Sequence, residues 1–382
     1  MAGAWNKGRE SSYRSRRAAA IGAARRQHAV DAVLVSEPAD VSYLTGFTGD
    51  DSVLVLADRP ARRQPGGWAC LVTDGRYSER AGRECPDVEL LLRKNSMPAA
   101  IAQALASRRV RRLGVQAERV TLAAAEALAK AIGGRKIRPI SGLTDRLREV
   151  KDADELRAIG KAVRLAERAF RELIAGGARA LVGRTERQVA AELDYRMRRL
   201  GASGAAFETM VAAGASSSNP HYSPADVRIR AGQAVLFDWG AMADGYCSDL
   251  TRVVFTGRIP LELVEPYEVV LRAQAAGIAA VRPGAACRTV DTDARDVVCR
   301  AGYGDRFVHS LGHGVGRQVH EGPALSGSSR QRLREGMVVT VEPGIYLPGV
   351  GGIRIEDDVL VTAGGQRRLS SLPRRPAAMI LR

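Results

Sequence analysis

Cysteine is scarce: five residues in 382 (Cys70, Cys85, Cys247, Cys287 and Cys299), an odd count without any CxxC spacing. That argues against a disulfide framework and against a zinc knuckle, and a reducing, cytoplasmic setting is expected. Long apolar runs are also missing. None approaches the roughly 20 residues that a membrane span requires, so no membrane role is expected. Aromatic residues are only 5% of the chain and do not interleave with a basic run beyond the short Arg14 to Arg17 stretch, so no nucleic-acid partner is expected. Histidine is limited to five positions, and three of them fall within twelve residues.

What is present is an ordinary globular balance, 45% apolar and 26% charged, which makes wholesale disorder untenable. The length exceeds one typical core and calls for two or three domains. The net charge of +16 arises from 58 Lys and Arg against 42 Asp and Glu. Those basic residues are scattered and mostly arginine, which reads as a solvated surface. The segment SRRAAAIGAARR has a superficial likeness to a twin-arginine export signal, but Arg25 and Arg26 interrupt its apolar part, so it reads as a basic first helix.

Residues 1–14 are polar and basic and are expected to form a disordered tail. Residues 15–144 alternate short β-branched runs (32–36, 52–56 and 68–72) with helix-like stretches (98–108 and 121–132), the pattern of an α/β domain. A second domain, 145–382, opens with the amphipathic run DADELRAIGKAVRLAERAFRELIAG, ended by Gly176 and Gly177. A helix at about 186–200 follows, with Thr185 and Gln188 in capping-box spacing. Further helices are expected at about 261–282 and 289–301, with Pro260, Pro283 and Gly284 at their edges.

Two segments carry pairs of acids. In VLFDWGAMADGYCSDLTRVVF, strand-like runs flank the turn-rich segment GAMADG, and Asp238 and Asp249 lie equally far from a turn centred between Ala243 and Asp244. A regular hairpin would set them opposite each other. In MVVTVEPGIYLPGVGGIRIEDDVLV, Glu342 and Glu356 lie equally far from Gly349. Like charges opposed across strands are destabilising unless a cation lies between them or one acid is protonated. Four carboxylates in largely apolar strands call for divalent cations. Between the hairpins stands HSLGHGVGRQVHE with His309, His313 and His320, where Gly312, Gly314 and Gly316 argue against a helix and let backbone approach a ligand. A phosphate loop is not supported, because the Lys-Ser/Thr ending is missing. His221 sits in the turn-forming SSSNPHYSPADVRI just before the first hairpin.

With these acids and histidines in the order Asp, Asp, His, Glu, Glu, residues 150–370 resemble the pita-bread metallopeptidases, the group of methionine aminopeptidases, prolidases and Xaa-Pro aminopeptidases. FDWGAMADGYCSDLTR is similar to that family's two-aspartate hairpin, SLGHGVGRQVHE to its histidine motif, VEPGIY and IRIEDD to its glutamate motifs. The stretches VDAVLVSEPADVSYLTGFTGDDSVLVL and VTDGRYSERA resemble the amino-terminal domain shared by creatinases, prolidases and Xaa-Pro aminopeptidases, which methionine aminopeptidases generally lack. The resemblance implies a creatinase-like α/β amino-terminal domain and an α+β pita-bread catalytic domain built on a curved, mostly antiparallel sheet.

By the same resemblance Asp238 chelates one metal ion, Asp249 and Glu356 bridge two, and His313 and Glu342 complete the second. Carboxylate oxygens with one imidazole suit manganese first, with cobalt, zinc or iron as alternatives. A hydroxide between two such ions would attack the peptide carbonyl. The resemblance gives Glu342 a proton-shuttling role, lets His320 polarise the carbonyl, lets His221 protonate the leaving nitrogen, and lines the substrate pocket with His309. Arg354, on the same strand face as Glu356, is expected to pair with a ligand carboxylate beside the substrate. Arg317 departs from the motif, which often carries an apolar residue there, and is expected at the pocket rim.

The implied activity is a metal-dependent Xaa-Pro aminopeptidase acting on peptides with proline second, and the implied assembly is a homodimer. Its closest rival is a prolidase restricted to Xaa-Pro dipeptides. A rival of another class is a non-enzymatic nucleic-acid or protein-binding module of the same fold, but such relatives retain few metal ligands.

Overall fold

The computed structural model describes residues 2–57 and 67–382, with side chains described from residue 12 onward. Contacts divide the chain into two compact units, Met1–Leu147 and Arg148–Arg382. A first helix, Ala2–His28, spans the segment expected as a tail to residue 14 and runs through the basic stretch. No proline interrupts those residues.

Six strands form the sheet of the first unit, in the order Glu89–Leu92, Trp68–Thr73, Val53–Ala57, Ala32–Val35, Arg112–Gln116, Lys136–Ile140. The middle pairs are antiparallel and the outer ones parallel. Val33, Val35, Leu54 and Leu56 pack into a core on one face, while Ala32, Leu34, Val53 and Val55 pack into a core on the other. Burial on both faces explains why these strands read as continuous apolar runs. The other three strands were missed in the sequence because polar residues such as Glu89, Arg112 and Lys136 break their apolar pattern.

The second unit opens with the helix Ala153–Ile174, where Asp152 and Glu155 form a capping box. Its buried stripe includes Ile159, Val163, Ala166, Phe170 and Leu173, at helical spacing. The helix Glu186–Arg199 carries the expected Thr185 and Gln188 box. Helices Leu261–Ala280 and Cys287–Arg300 pack against each other.

Nearly all strands of this unit are antiparallel, as expected for its α+β class. Met210–Ala213, Ala234–Trp239 and Leu250–Thr256 form one antiparallel sheet, with Ile380–Leu381 added in parallel at its edge. A second sheet has the order Glu321–Leu325, Gly312–Gly314, Val338–Val341, Asp357–Thr362, Gly365–Arg368. Among the described residues no helix is long and apolar enough to cross a membrane.

Candidate active site

Alternation along one strand sets the first acid. In Ala234–Trp239, Phe237 and Trp239 face the core, where Phe170 stacks on Trp239 at 4.4 Å and meets Phe237 edge-on at 5.3 Å. Asp238 therefore faces the opposite side. Its cross-strand partner is Thr251, not Asp249. The hairpin turns at Asp244–Gly245, whose φ values of 52° and 76° are those of a two-residue type I′ turn. Centring the turn between Ala243 and Asp244, one position too early, displaced the expected register by two residues. A two-residue slip keeps the same face, so Asp249 and Asp238 still open onto one cavity.

The second hairpin keeps the register read from its sequence. Val341 pairs with Asp357 and Gly344 with Arg354, so Glu342 and Glu356 face each other between the two ladders. The hairpins are joined where Thr251 bridges Glu356. The Glu356 amide donates to the Thr251 carbonyl at 3.2 Å, and the Thr251 hydroxyl donates to Glu356 Oε2 at 2.6 Å.

His313 occupies the strand Gly312–Gly314, consistent with the glycine argument against a helix. A Cβ on Gly312 would lie 2.1 Å from the Thr340 carbonyl, so only glycine permits this close approach. His313 Nδ1 meets the Gly314 carbonyl at 3.1 Å, which turns Nε2 toward Glu342 Oε1 at 3.4 Å and Asp249 Oδ2 at 3.6 Å. The His320 ring meets that of His313 edge-on at 4.4 Å. His309 Nε2 lies 2.8 Å from the Tyr346 hydroxyl.

A cavity of about 520 Å³ brings together all nine residues singled out in the sequence: Asp238, Asp249, Glu342 and Glu356 with His221, His309, His313, His320 and Arg354. Ligand atoms of Asp249, His313 and Glu356 all lie within 4.8 Å of one another. Burial, and then the neighbouring acids, push the Asp249 and Glu356 carboxyls well above the carboxylate range. Burial raises Glu342 to about 7. Burial lowers His313 and His320 and takes His309 down to about 4, so these rings favour the neutral form that binds metal.

Asp238 Oδ1 and Glu356 Oε1 are buried with no hydrogen-bond partner, while their sister oxygens are held by Arg354 and Thr251. Unpartnered buried oxygens on convergent acids beside one imidazole Nε2 are the donor set for divalent cations. The residues present fit them.

Arg354 was expected beside the substrate. Its guanidinium is instead committed to the protein, donating to Asp238 Oδ2 at 2.5 Å, Thr251 Oγ1 at 3.0 Å and the Tyr346 hydroxyl at 2.9 Å. The expected pairing with a carboxylate is present, and Arg354 lines the cavity with its guanidinium nitrogens engaged by protein groups. Arg317 does not line the cavity, and its guanidinium lies 4.8 Å from the centre of the Tyr246 ring.

Sequence reasoning missed Thr251, Thr340, Tyr346 and Asp358. Thr340 receives the His313 amide at 3.0 Å and donates to Glu342 at 3.2 Å. Asp358 accepts the Asp249 amide at 3.0 Å and is raised by burial to about 8. Thr340 and Asp358 had a signal in strand parity, because they lie two residues from Glu342 and Glu356.

Fold and cluster define the class, a metal-dependent hydrolase of two units. The family model for metallopeptidase family M24 matches residues 157–363, and that for the creatinase/prolidase N-terminal domain matches residues 16–150. An uncharacterized peptidase of Bacillus subtilis is 37% identical over 348 residues, covering 91% of this chain and 96% of that one. The solved Xaa-Pro dipeptidase from Bacillus anthracis superposes with a TM-score of 0.89 at 32% identity, covering 97% of this chain and 100% of that one. The X-Pro aminopeptidase from Thermotoga maritima gives 0.83 at 35% identity, covering 94% and 99%. The chain belongs to metallopeptidase family M24, with a creatinase-type amino-terminal domain before a pita-bread catalytic domain.

Proposed function

We propose that the chain is a metal-dependent Xaa-Pro aminopeptidase, cutting the bond between an amino-terminal residue and a following proline. The commitment of Arg354 carries this reading. It is the only Lys or Arg among the described residues lining the cavity, and its side chain is 4% exposed. A dipeptide places its own carboxylate next to the cleaved bond and needs a cation there, whereas a longer peptide carries a neutral amide at that point. A prolidase restricted to dipeptides is the second reading, favoured by the name of the Bacillus anthracis relative.

In this reading Asp238 would help hold one ion and His313 and Glu342 a second, with Asp249 and Glu356 contributing to both, and manganese would be preferred over cobalt, zinc or iron. Bound divalent ions supply Lewis acidity and bring the pKa of water toward neutrality. Glu342, steadied by Thr340, takes a proton from water and passes it on. His320 donates to the developing oxyanion, and His221 helps protonate the proline nitrogen as it leaves. His309, held by Tyr346, shapes the pocket wall. The five free cysteines support a reducing, cytoplasmic setting.

The test is hydrolysis of Ala-Pro beside Ala-Pro-Ala by the full chain supplied with manganese. Release of alanine from the tripeptide is expected. Turnover of Ala-Pro alone would establish the dipeptidase reading, and turnover of neither peptide would overturn both.

A further inference from the structure

The net charge of +16 finds no use in the peptidase cavity, where the acids outnumber the cations. It has a local focus elsewhere in the catalytic unit. A second groove, of about 530 Å³, is lined by Arg272, Arg368, Arg374 and Arg375 over an apolar floor that includes Leu271 and Leu372. Among the described residues no acid lines it.

The charge balance behind the groove is unequal. One carboxylate, Asp357, serves three arginines: Arg252 at 2.7 Å, Arg368 at 3.6 Å and Arg374 at 4.0 Å. Arg252 and Asp357 are both fully buried and neutralise each other. Gln274 and Ser370 also donate to Asp357, so three of its about four acceptor sites are taken, none of them by Arg368 or Arg374. Arg368 and Arg374, with side chains 29% and 28% exposed, are therefore left as half-buried cations in excess. Arg368 is oriented by the Ser370 carbonyl at 3.0 Å and Arg374 by Gln274 at 2.9 Å. Burial and the repulsion of Arg368 also hold the Arg374 guanidinium below its ordinary value. Among the described residues the guanidinium groups of Arg272 and Arg375 find no hydrogen-bond or ion-pair partner.

Like-charged guanidinium groups gathered at reduced solvation raise one another's energy unless an anion joins them. Guanidinium forks match phosphate oxygens two at a time. Four around one groove exceed what a single carboxylate can satisfy, and the apolar floor accommodates an uncharged remainder. We propose that this groove is a binding site for a small polyphosphate-bearing anion, separate from the peptidase cavity.

The experiment is titration calorimetry of inorganic tripolyphosphate into the manganese-loaded full chain. It compares wild type with Arg272→Gln/Arg375→Gln and with Lys130→Gln/Arg138→Gln, a charge-matched double variant of exposed residues in the other unit. Both substituted groove arginines are exposed and unpartnered, so the fold does not depend on them. Saturable one-to-one binding is expected, weakened about tenfold or more by the groove variant and unchanged by the remote one. Three results would overturn the site: no saturable heat with wild type, equal weakening by both double variants through bulk charge alone, or unchanged binding in all three proteins through capture of the catalytic ions. Retained hydrolysis of Ala-Pro-Ala by the groove variant keeps this test independent of the peptidase reading.

Discussion

Thr251 stands directly across the strands from Asp238 and donates its hydroxyl to Glu356 Oε2 at 2.6 Å, so a residue of the first hairpin holds an acid of the second. The same hydroxyl oxygen accepts from Arg354 Nε at 3.0 Å. Thr251→Val keeps the shape and removes both bonds. Loss of such an outer contact costs about 10- to 100-fold in metal affinity or activity. The midpoint of a manganese titration of the metal-free protein should shift by that factor, with the melting profile of the metal-loaded protein nearly unchanged.

Arg354 holds Asp238, Thr251 and Tyr346 with three different nitrogens. A lysine supplies one charge without the fork. Arg354→Lys should lower kcat about 10- to 100-fold on Ala-Pro and on Ala-Pro-Ala alike. A selective rise in KM for the dipeptide would instead assign the arginine to the substrate carboxylate.

Burial raises Glu342 to about 7 and Asp358 to about 8. Without metal, the folded chain holds these protons more tightly than the unfolded chain, whose carboxyls titrate near their ordinary values of 4.5 and 3.8. The stability this gives is complete below those unfolded values and is lost as pH rises through about 7 to 8. Melting of the metal-free protein should therefore decline from pH 5 to pH 8 more steeply than that of Glu342→Gln. Added manganese should raise the melting temperature more at pH 8 than at pH 5. Parallel melting curves for the two proteins would contradict the placement of Glu342.

Arg252 is fully buried and donates to Asp357 and to the Thr251, Glu356, Leu372 and Pro373 carbonyls. Arg252→Met takes from Asp357 its one fully buried cation and leaves only the longer contacts to Arg368 at 3.6 Å and Arg374 at 4.0 Å. Breaking a buried pair in this way costs about 3–5 kcal/mol, a fall in melting temperature of about 10 °C for a unit of this size. Retained stability would show that Gln274 and Ser370, with Arg368 and Arg374, suffice for Asp357.

The acids were legible because each stands in or beside a strand-like apolar run, so hairpin parity aims them together, and His313 because histidines are concentrated around it. Register was legible only where the turn was read correctly. Gly349 centres the second hairpin, but Asp244–Gly245 moved the first by two residues. Thr251 and Tyr346 were not legible, because a threonine or tyrosine in a strand is ordinary until its partner is known. The direction of Arg354 was half legible. Its spacing from Glu356 gave the face, while the commitment of all three nitrogens depends on Tyr346 and on a strand a hundred residues away.

The central claim is that Asp249, with Glu356 and His313, holds divalent metal that the reaction requires. Metal content by mass spectrometry, run beside Ala-Pro-Ala hydrolysis, tests it in wild type and Asp249→Asn. The expected result is up to two bound ions in wild type, a loss of bound metal in the variant, and a fall in activity of about a hundredfold or more. Equal metal content and equal turnover in the two proteins would contradict it.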